Sequence, residues 1–247
     1  CAMTANSPVN PALPYPAMQT PVIGDILHLP TGVFVSREQM LDAATDSRIV
    51  YVGETHDNPA SHRLQLQVLS AMAARYPGNV SLGMEMFDTD QQPALNQWVQ
   101  GEIDEKTFLK ESAWYKNWRM DFDYYRDLLI FARDNQVPVI GLNAPDQLVD
   151  SVSKTPLDAL SPELLDQLPE MDMADPYQRA LSEAVFADHG AGENAVDGFL
   201  RVQTLWDETM AENIVETLRQ NGPEHRMVVL AGGNHVRNGF GIPRRVF

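Results

Sequence analysis

The sequence predicts an α/β fold, with a mainly parallel sheet flanked by helices and a smaller all-helical lobe inserted between strands. Four short apolar runs are continuous rather than alternating, which is typical of parallel strands buried on both faces. Helical stretches separate the runs, and the second and third separations are much longer than the first, so that each has room for several helices. The runs lie at residues 49–52, 80–84, 137–140 and 227–230.

Local signals place the individual elements. A short hairpin is predicted over residues 26–35, and Ser36 with Gln39 forms the capping-box pattern that opens a helix. The helix after the first strand has Asn58 as N-cap and Pro59 at its first position. We expect one α/β domain over residues 22–247, with its helical lobe at about 88–136 and 145–221. Predicted helices in the two long separations span residues 91–99, 105–112, 122–135, 145–154, 162–168, 176–188 and 193–221.

The first residues predict a lipid-anchored tether. Cys1 is the one cysteine of the chain, which excludes an internal disulfide and a thiolate zinc site. A first-position cysteine resembles the lipid-modified start of a mature bacterial lipoprotein, although a chance start at this residue gives the same sequence. The proline-rich residues 1–21 favour an extended spacer over packed structure. Ala2 resembles the sorting signal for the outer membrane, so we expect an outer-membrane lipoprotein that faces the periplasm.

Charge and hydropathy exclude two classes of protein. The chain has 18 Lys and Arg residues against 34 Asp and Glu, a net charge of −16, which argues against nucleic acid as a partner. No apolar run approaches the roughly 18 residues that a membrane-spanning helix needs. The predicted contact with a membrane is therefore through the lipid on Cys1 alone.

Polar side chains follow each of the four apolar runs. The carboxyl ends of parallel strands meet at one edge of a sheet, where ligands bind, so these side chains are expected to converge. Gly232 and Gly233 after the last run would allow a ligand to approach the backbone closely. His62, in the first turn of the next helix, is expected to face the same crevice. The converging residues are Glu54 and His56 after the first run, Glu85 after the second, Asn143 after the third and His235 after the fourth.

Three interpretations of this set remain open. Imidazoles and carboxylates can hold a divalent metal that generates hydroxide at neutral pH. Without metal, a histidine polarised by a nearby glutamate can act as a general base. The same residues can also form a buried hydrogen-bond network with a purely structural role. The candidate metal ligands are Glu54, His56, His62, Glu85 and His235, and the candidate catalytic residues are Glu54, His56, Glu85 and His235.

An ordered set of motifs resembles the ChaN-type haem-binding lipoproteins of the Tiki superfamily. No single motif is decisive, but the set runs in family order from residue 48 to 245. The resemblance implies the α/β fold described above and haem binding, with two face-to-face haems at a dimer interface. The matching segments are residues 53–57 with His62, 83–87, 141–143, 203–211, 232–236 and 241–244.

The resemblance also implies a tyrosine on the haem iron and side chains that hold the propionates. Among the tyrosines of the helical lobe we favour Tyr177, paired with His189, and we take Lys116 and Arg119 as propionate partners. The expected function is a lipid-anchored haem-binding protein of an outer-membrane iron uptake system, a homodimer when loaded.

The alternative function is a metal-dependent hydrolase. The wider superfamily includes metal-dependent peptidases and erythromycin-esterase-like hydrolases that share a Gly-x-x-His element, which Gly53 and His56 match. Whether the chain is an enzyme therefore stays open, and a scaffold with a vestigial crevice is the third hypothesis.

Overall fold

The structure, a computed structural model, describes residues 20–187 and 193–247. Cys1, most of the predicted tether and His189 lie outside these residues. The chain divides into two compact units, of which the first ends at Ser47 and the second is Arg48–Phe247. The division of the chain into a tether and one domain at residue 21 stays a prediction. No helix in the two described ranges is long and apolar enough to cross a membrane.

The first unit contains the predicted hairpin and helix. Strands β1 (Ile26–His28) and β2 (Val33–Val35) pair in the antiparallel sense, with Ile26 opposite Val35. Helix α1 (Arg37–Thr45) begins with the predicted capping box, because the Ser36 hydroxyl accepts from the Gln39 backbone and the Gln39 side chain accepts from the Ser36 backbone. The sequence signals for both elements are confirmed.

The second unit is built on a four-stranded parallel sheet, as predicted. The strands are β3 (Ile49–Glu54), β4 (Val80–Asp88), β5 (Val139–Asn143) and β6 (Arg226–Gly232). Their order across the sheet is β3-β6-β4-β5, so the last strand of the chain lies between the first two of this sheet. β6 is buried over most of its length, which accounts for its continuous apolar sequence.

Helices surround the sheet, and their positions agree with the sequence signals to within a few residues. Two differ. The helix predicted over 122–135 is a 3-10 turn, Phe122–Tyr124, followed by an α-helix that begins at Arg126, and the helix predicted over 162–168 ends at Leu165. The helices of this unit are α2 (Pro59–Arg75), α3 (Gln92–Gln100), α4 (Glu105–Glu111), α5 (Trp114–Asn117), α6 (Arg126–Asp134), α7 (Asp146–Lys154), α8 (Pro162–Leu165), α9 (Pro176–Ala187), α10 (Glu193–Asn221), α11 (Gly233–Val236) and α12 (Ile242–Val246).

The helices between β4 and β5 enclose an aromatic cluster. Trp114 lies at its centre, with ring centroids 5.3 Å from both Phe87 and Tyr125 and 5.4 Å from Phe122. All four side chains are almost completely buried. Burial of rings of this size supplies much of the apolar stabilisation of a core, and edge-to-face contacts add to it. The cluster therefore fixes Tyr125, whose hydroxyl points out of the core toward the strand ends.

Candidate functional site

The carboxyl ends of the parallel strands open onto a cavity of about 670 Å³. Glu54 ends β3, Glu85 lies near the end of β4 and Gly232 ends β6. His56 follows β3 after a short turn, and His235 lies on α11 directly after β6. All five residues line the cavity, so the structure brings the predicted strand-end residues together.

Glu54 is the centre of the first half of the site. Its Oε1 accepts a hydrogen bond from the Tyr125 hydroxyl at 2.5 Å and from His56 Nδ1 at 2.7 Å, and its Oε2 accepts from Gln65 Nε2 at 2.6 Å. The Glu54 side chain is completely buried. Burial and the charge of Glu54 raise the pKa of Tyr125 far above its usual range, so the phenol stays protonated and donates.

His56 is held by one ring nitrogen and faces the cavity with the other. Its side chain remains 32% exposed, the largest exposed fraction among the histidines of the network. The hydrogen bond to Glu54 raises the pKa of His56, with a further contribution from the charge of Glu85, while burial and the nearby His235 oppose the shift. A Cβ atom on Gly232 would lie 3.0 Å from His56 Cε1, so a larger residue at this position would require the His56 ring to shift by a few tenths of an ångström.

His62 does not line the cavity, contrary to the sequence prediction. It is buried behind Glu54, where its Nε2 lies 3.0 Å from the carbonyl oxygen of His56 and its Nδ1 lies 3.0 Å from Gln65 Oε1. His62 therefore fixes the turn that carries His56. The expectation failed because a position in the first turn of α2 does not specify which side of the turn the side chain takes.

The second half of the site is an ion pair network around His235. His235 Nδ1 lies 2.6 Å from Asp207 Oδ1, and its Nε2 lies 3.3 Å from Glu85 Oε1. Burial opposes the charge of the ring, but the carboxylates of Glu85 and Asp207 outweigh it and raise the pKa of His235 to about 10. The Gln178 amide donates to Asp207 Oδ2 at 2.7 Å.

Glu85 connects the two halves. The backbone N–H of Gly232 donates to its Oε2 at 2.5 Å. Burial would raise the pKa of Glu85, but His235 and the Gly232 N–H lower it below its usual value. The site is thus a row of alternating carboxylates and imidazoles, in the order Asp207, His235, Glu85, His56 and Glu54.

A divalent metal is not supported. Among the described residues no group of three or more His, Cys, Asp or Glu side chains is placed to hold a metal ion. Both ring nitrogens of His62 and His235 face polar groups of the protein, so neither imidazole offers a free lone pair. The residues predicted as ligands instead pair with protein groups, and they are Glu54, His56, His62, Glu85 and His235.

Three residues that complete the network were not predicted from the sequence. Asp207 lies within the segment 203–211 that resembles the family, but no role was predicted for its carboxylate. Tyr125 is one of the tyrosines of the predicted helical lobe, among which Tyr177 was favoured, and Gln65 had no signal beyond its place on α2. Asn143, expected to face the crevice, lines the cavity, but its Nδ2 donates to the Glu85 carbonyl oxygen and its Oδ1 accepts from the Ala144 N–H, so its amide caps a strand end.

The walls of the cavity are partly apolar and partly acidic. Large apolar side chains alternate with amides, and burial raises the pKa of the Asp88 carboxyl. Three carboxylates besides Glu54 line the space, together with one guanidinium, that of Arg237. The apolar lining residues are Met86, Trp118, Met120, Phe199 and Trp206, the amides are Gln91, Asn117, Asn143, Gln203 and Asn234, and the further carboxylates are Glu85, Asp88 and Asp146.

The predicted haem residues lie at the surface beside this cavity. Lys116 and Arg119 are exposed, and the residues between them, Asn117 and Trp118, line the cavity. Tyr177 is 61% exposed and stacks on Phe240, with ring centroids 5.0 Å apart.

Tyr177 adjoins the cavity through its stacking partner. Phe240 lines a small neighbouring pocket that shares three residues with the cavity, namely Phe199, Gln203 and Asn234. The pairing of Tyr177 with His189 cannot be compared with the prediction, because His189 lies outside the described residues.

Comparison with known proteins identifies one family and one similar fold. The family described as haem-binding uptake, Tiki superfamily, ChaN matches residues 40–246. The solved structure that describes cofacial haem binding to ChaN of Campylobacter jejuni has a TM-score of 0.72 at 18% sequence identity, and the match covers 90% of this chain and 84% of that one. At this identity the similarity shows the fold.

Two other similarities are weaker. An erythromycin esterase, EreC, in its open conformation has a TM-score of 0.47 at 14% identity, covering 80% of this chain and 64% of that one, and it supports no argument about function. The protein RETICULATA-RELATED 5, chloroplastic, of Arabidopsis thaliana is 23% identical over 257 residues, which cover 90% of this chain and 32% of that protein. The chain therefore spans about a third of the length of this relative.

Proposed function

The chain belongs to the ChaN family of haem-binding uptake proteins in the Tiki superfamily, and from this premise we propose that it binds haem as the cargo of an iron uptake system. The observation that carries the proposal is the family match over residues 40–246, which includes the whole strand-end site. The fold shared with ChaN of Campylobacter jejuni supports it.

Tyr177 is the proposed iron ligand. Tyrosinate ligates haem iron in other proteins, and the site must leave the phenol accessible to the metal. The Tyr177 ring is exposed, and in the described residues its hydroxyl makes no hydrogen bond. The stacking of Tyr177 on Phe240 holds the phenol ring in a defined orientation.

Lys116 and Arg119 are the proposed propionate partners. Both are exposed cations in a strongly acidic protein, and among the described residues neither forms an ion pair. A guanidinium binds a carboxylate through two parallel hydrogen bonds, which suits Arg119 for a propionate. His189 remains part of the proposal as a second side chain near the iron.

We expect haem to bring two copies of the chain together. A haem on an exposed tyrosine leaves one porphyrin face in water unless a second molecule covers it, and covering it removes a large apolar area from water. The haem-loaded protein is therefore expected to be a homodimer. Its sedimentation coefficient should rise when haemin is added.

Titration with haemin tests the proposal. Addition of haemin to the purified chain is expected to shift the Soret band with saturation, and Tyr177→Phe is expected to weaken binding at least about tenfold, since it removes the ligand oxygen. Tyr115→Phe is the matched control, because Tyr115 is a similarly exposed tyrosine at 58%. An unchanged Soret band in the wild-type chain would refute haem binding. Equal affinity of both variants would refute the ligand assignment and leave haem binding intact.

The proposed place of action is the periplasmic face of the outer membrane, with a lipid on Cys1 and residues 1–21 as the spacer. The proline content of these residues supports an extended spacer. In its own cells, Cys1→Ser is expected to move most of the protein from the membrane fraction to the soluble fraction, whereas Ser7→Ala leaves it with the membrane. The N-terminal peptide of the wild-type protein should carry the added mass of acyl chains. Equal fractionation of the wild-type protein and Cys1→Ser would exclude the anchor.

A further inference from the structure

Arg237 is the one lysine or arginine among the described residues that line the strand-end cavity. Its side chain is exposed, and in the described part of the chain its guanidinium forms no hydrogen bond or ion pair. A guanidinium carries five N–H donors and fits a carboxylate through two parallel hydrogen bonds. Arg237 is therefore placed to bind a carboxylate that enters the cavity from outside.

A tight turn over residues 237–241 holds Arg237 in this place. The Phe240 backbone N–H donates to the Arg237 carbonyl oxygen at 3.2 Å. Asn238 has a φ of 55°, a left-handed conformation in which asparagine is several times more common than most other residues. A Cβ atom on Gly241 would collide with the backbone of α11, so the turn closes tightly onto that helix. The backbone that carries Arg237 is thus fixed, although its side chain is exposed.

The same turn carries the ring on which the proposed iron ligand stacks. Arg237 lines the strand-end cavity, whereas Phe240 lines the small neighbouring pocket and stacks on Tyr177. The Cα atoms of the first and fourth residues of a turn lie within about 7 Å of each other. A porphyrin bonded through its iron to Tyr177 has both propionates at one edge of the ring. A propionate can therefore reach Arg237 when this edge faces the cavity.

Two of the cavity carboxylates are already neutralised by protein groups. Glu54 accepts from His56 Nδ1 at 2.7 Å, and Glu85 pairs with His235 Nε2 at 3.3 Å and accepts from the Gly232 N–H at 2.5 Å. Charge-assisted hydrogen bonds of this kind offset much of the repulsion that a bare carboxylate exerts on an anion. These two glutamates therefore do not exclude a propionate from the cavity.

The two remaining carboxylates lie at the other end of the cavity from Arg237. Asp88 ends β4 and Asp146 begins α7 directly after β5, which is one outer strand of the sheet. Helix α11, which leads to Arg237, packs against β3, the outer strand on the opposite side. The cavity thus has a cationic end at β3 and an acidic end at β5, and an anion is favoured at the first.

The loop that carries the other proposed propionate partners reaches the same end. Trp118, between Lys116 and Arg119, contacts the His56 ring edge to face at 4.8 Å, and His56 follows β3. The indoles of Trp118 and Trp206 add apolar surface to the cavity that suits a porphyrin edge. Cations and apolar surface therefore occur together at the β3 end.

We propose that Arg237 binds one haem propionate at the β3 end of the strand-end cavity, so that the haem site extends from Tyr177 into this cavity. The proposal rests on the haem binding proposed above. It gives the strand-end cavity a role in holding the cargo, with the turn over residues 237–241 connecting the iron ligand to the propionate site. Lys116 and Arg119 then remain for the second propionate.

Haemin and its dimethyl ester, in which both propionates are blocked, distinguish this contact in Soret titrations of the purified chain in one detergent buffer. Arg237→Gln is expected to weaken haemin binding at least about tenfold, since it removes a charge-assisted contact. Its affinity for the dimethyl ester should equal that of the wild-type chain. Arg237→Lys keeps the charge but not the two parallel hydrogen bonds, so its affinity for haemin should lie between the two.

Arg219→Gln is the matched control for the loss of one positive charge. Arg219 is exposed near the end of α10, before β6 begins, and thus at the edge of the sheet opposite the cavity. This variant should bind haemin and the dimethyl ester as the wild-type chain does. Thermal unfolding of each variant reports on its fold.

The outcomes separate this inference from the proposed function. If the wild-type chain and Arg237→Gln bind haemin equally, the propionate contact is overturned while haem binding stands. Equal weakening of haemin and dimethyl ester binding in Arg237→Gln would also overturn the contact, because Arg237 would then act through the turn and not on a propionate. Absence of haemin binding by the wild-type chain would refute the proposed function and this inference with it.

Discussion

Asp207→Asn is expected to lower the free energy of unfolding at pH 7 by about 3 kcal/mol, since breaking a buried ion pair leaves an uncompensated charge. Asp207 is almost completely buried and supplies the shortest contact of His235, at 2.6 Å. The side-chain amides of Gln178 and Gln203 both donate to Asp207 Oδ2. An asparagine Nδ2 in the place of this oxygen is itself a donor, so it would face two donors and no acceptor. Urea unfolding at pH 7 measures the difference.

The pH dependence of the free energy of unfolding is a second test of the ion pair between Asp207 and His235. The folded-state pKa of His235, about 10, lies above the ordinary value of 6.5. The stabilisation that the charged His235 gains from its carboxylate partners is therefore fully present below about pH 6.5. It is lost as the pH rises toward 10. The pKa of His56 is raised as well and acts in the same direction. The wild-type chain should lose several kcal/mol of stability across this window, and Asp207→Asn should lose less.

Asp166→Asn is the matched control for this prediction. Asp166 is exposed at the end of α8, and surface substitutions of this kind usually change stability by less than about 0.5 kcal/mol. The paired, charged state of His235 would be refuted if Asp207→Asn matched Asp166→Asn at pH 7, or if the stability of the wild-type chain were flat between pH 7 and 10.

Trp114→Ala is expected to cost about 3–5 kcal/mol of unfolding free energy, the range for truncation of a buried tryptophan. Trp114 is 1% exposed and contacts three aromatic rings, and its indole N–H donates to the Met120 carbonyl oxygen at 2.8 Å. The cavity left behind would remove the packing that holds Tyr125 against Glu54. Chemical unfolding measures the loss of stability.

Tyr115→Ala provides the comparison on the next residue of the same short helix. Tyr115 is 58% exposed, so its removal should change the unfolding free energy by less than about 0.5 kcal/mol. Similar losses for Trp114→Ala and Tyr115→Ala would mean that the aromatic cluster does not stabilise this part of the fold.

The strands and their ends could be predicted because their signals are local. The run at 227–230 is continuous and apolar since β6 is covered on both faces, and the polar residues directly after it must lie at the sheet edge. The placement of Glu54, Glu85 and His235 around one cavity followed from this rule alone. Asn58 and Pro59 likewise specified where α2 begins, because a cap acts on its own helix end.

The partners of these residues could not be predicted in the same way. Asp207 lies in the middle of α10 and Tyr125 just before α6, and helical periodicity cannot tell a buried carboxylate or phenol from any other inward-facing side chain. His62 was taken for a cavity residue for the same reason. The choice between metal ligation and ion pairing also depended on these partners, since they occupy the lone pairs that a metal would need.

The place of β6 in the sheet has a consequence for biosynthesis. During translation β3 and β4 leave the ribosome long before residues 226–232, yet in the folded protein β6 lies between them and pairs with both. Pairing across so long a separation in sequence is slow, and exposed strand edges favour aggregation in the meantime. An unfinished chain therefore carries Glu54, His56 and Glu85 without the strand that brings them together. The charge network can therefore be assembled only once β6 has been made, and until then the strand edges of β3 and β4 that pair with β6 stay open.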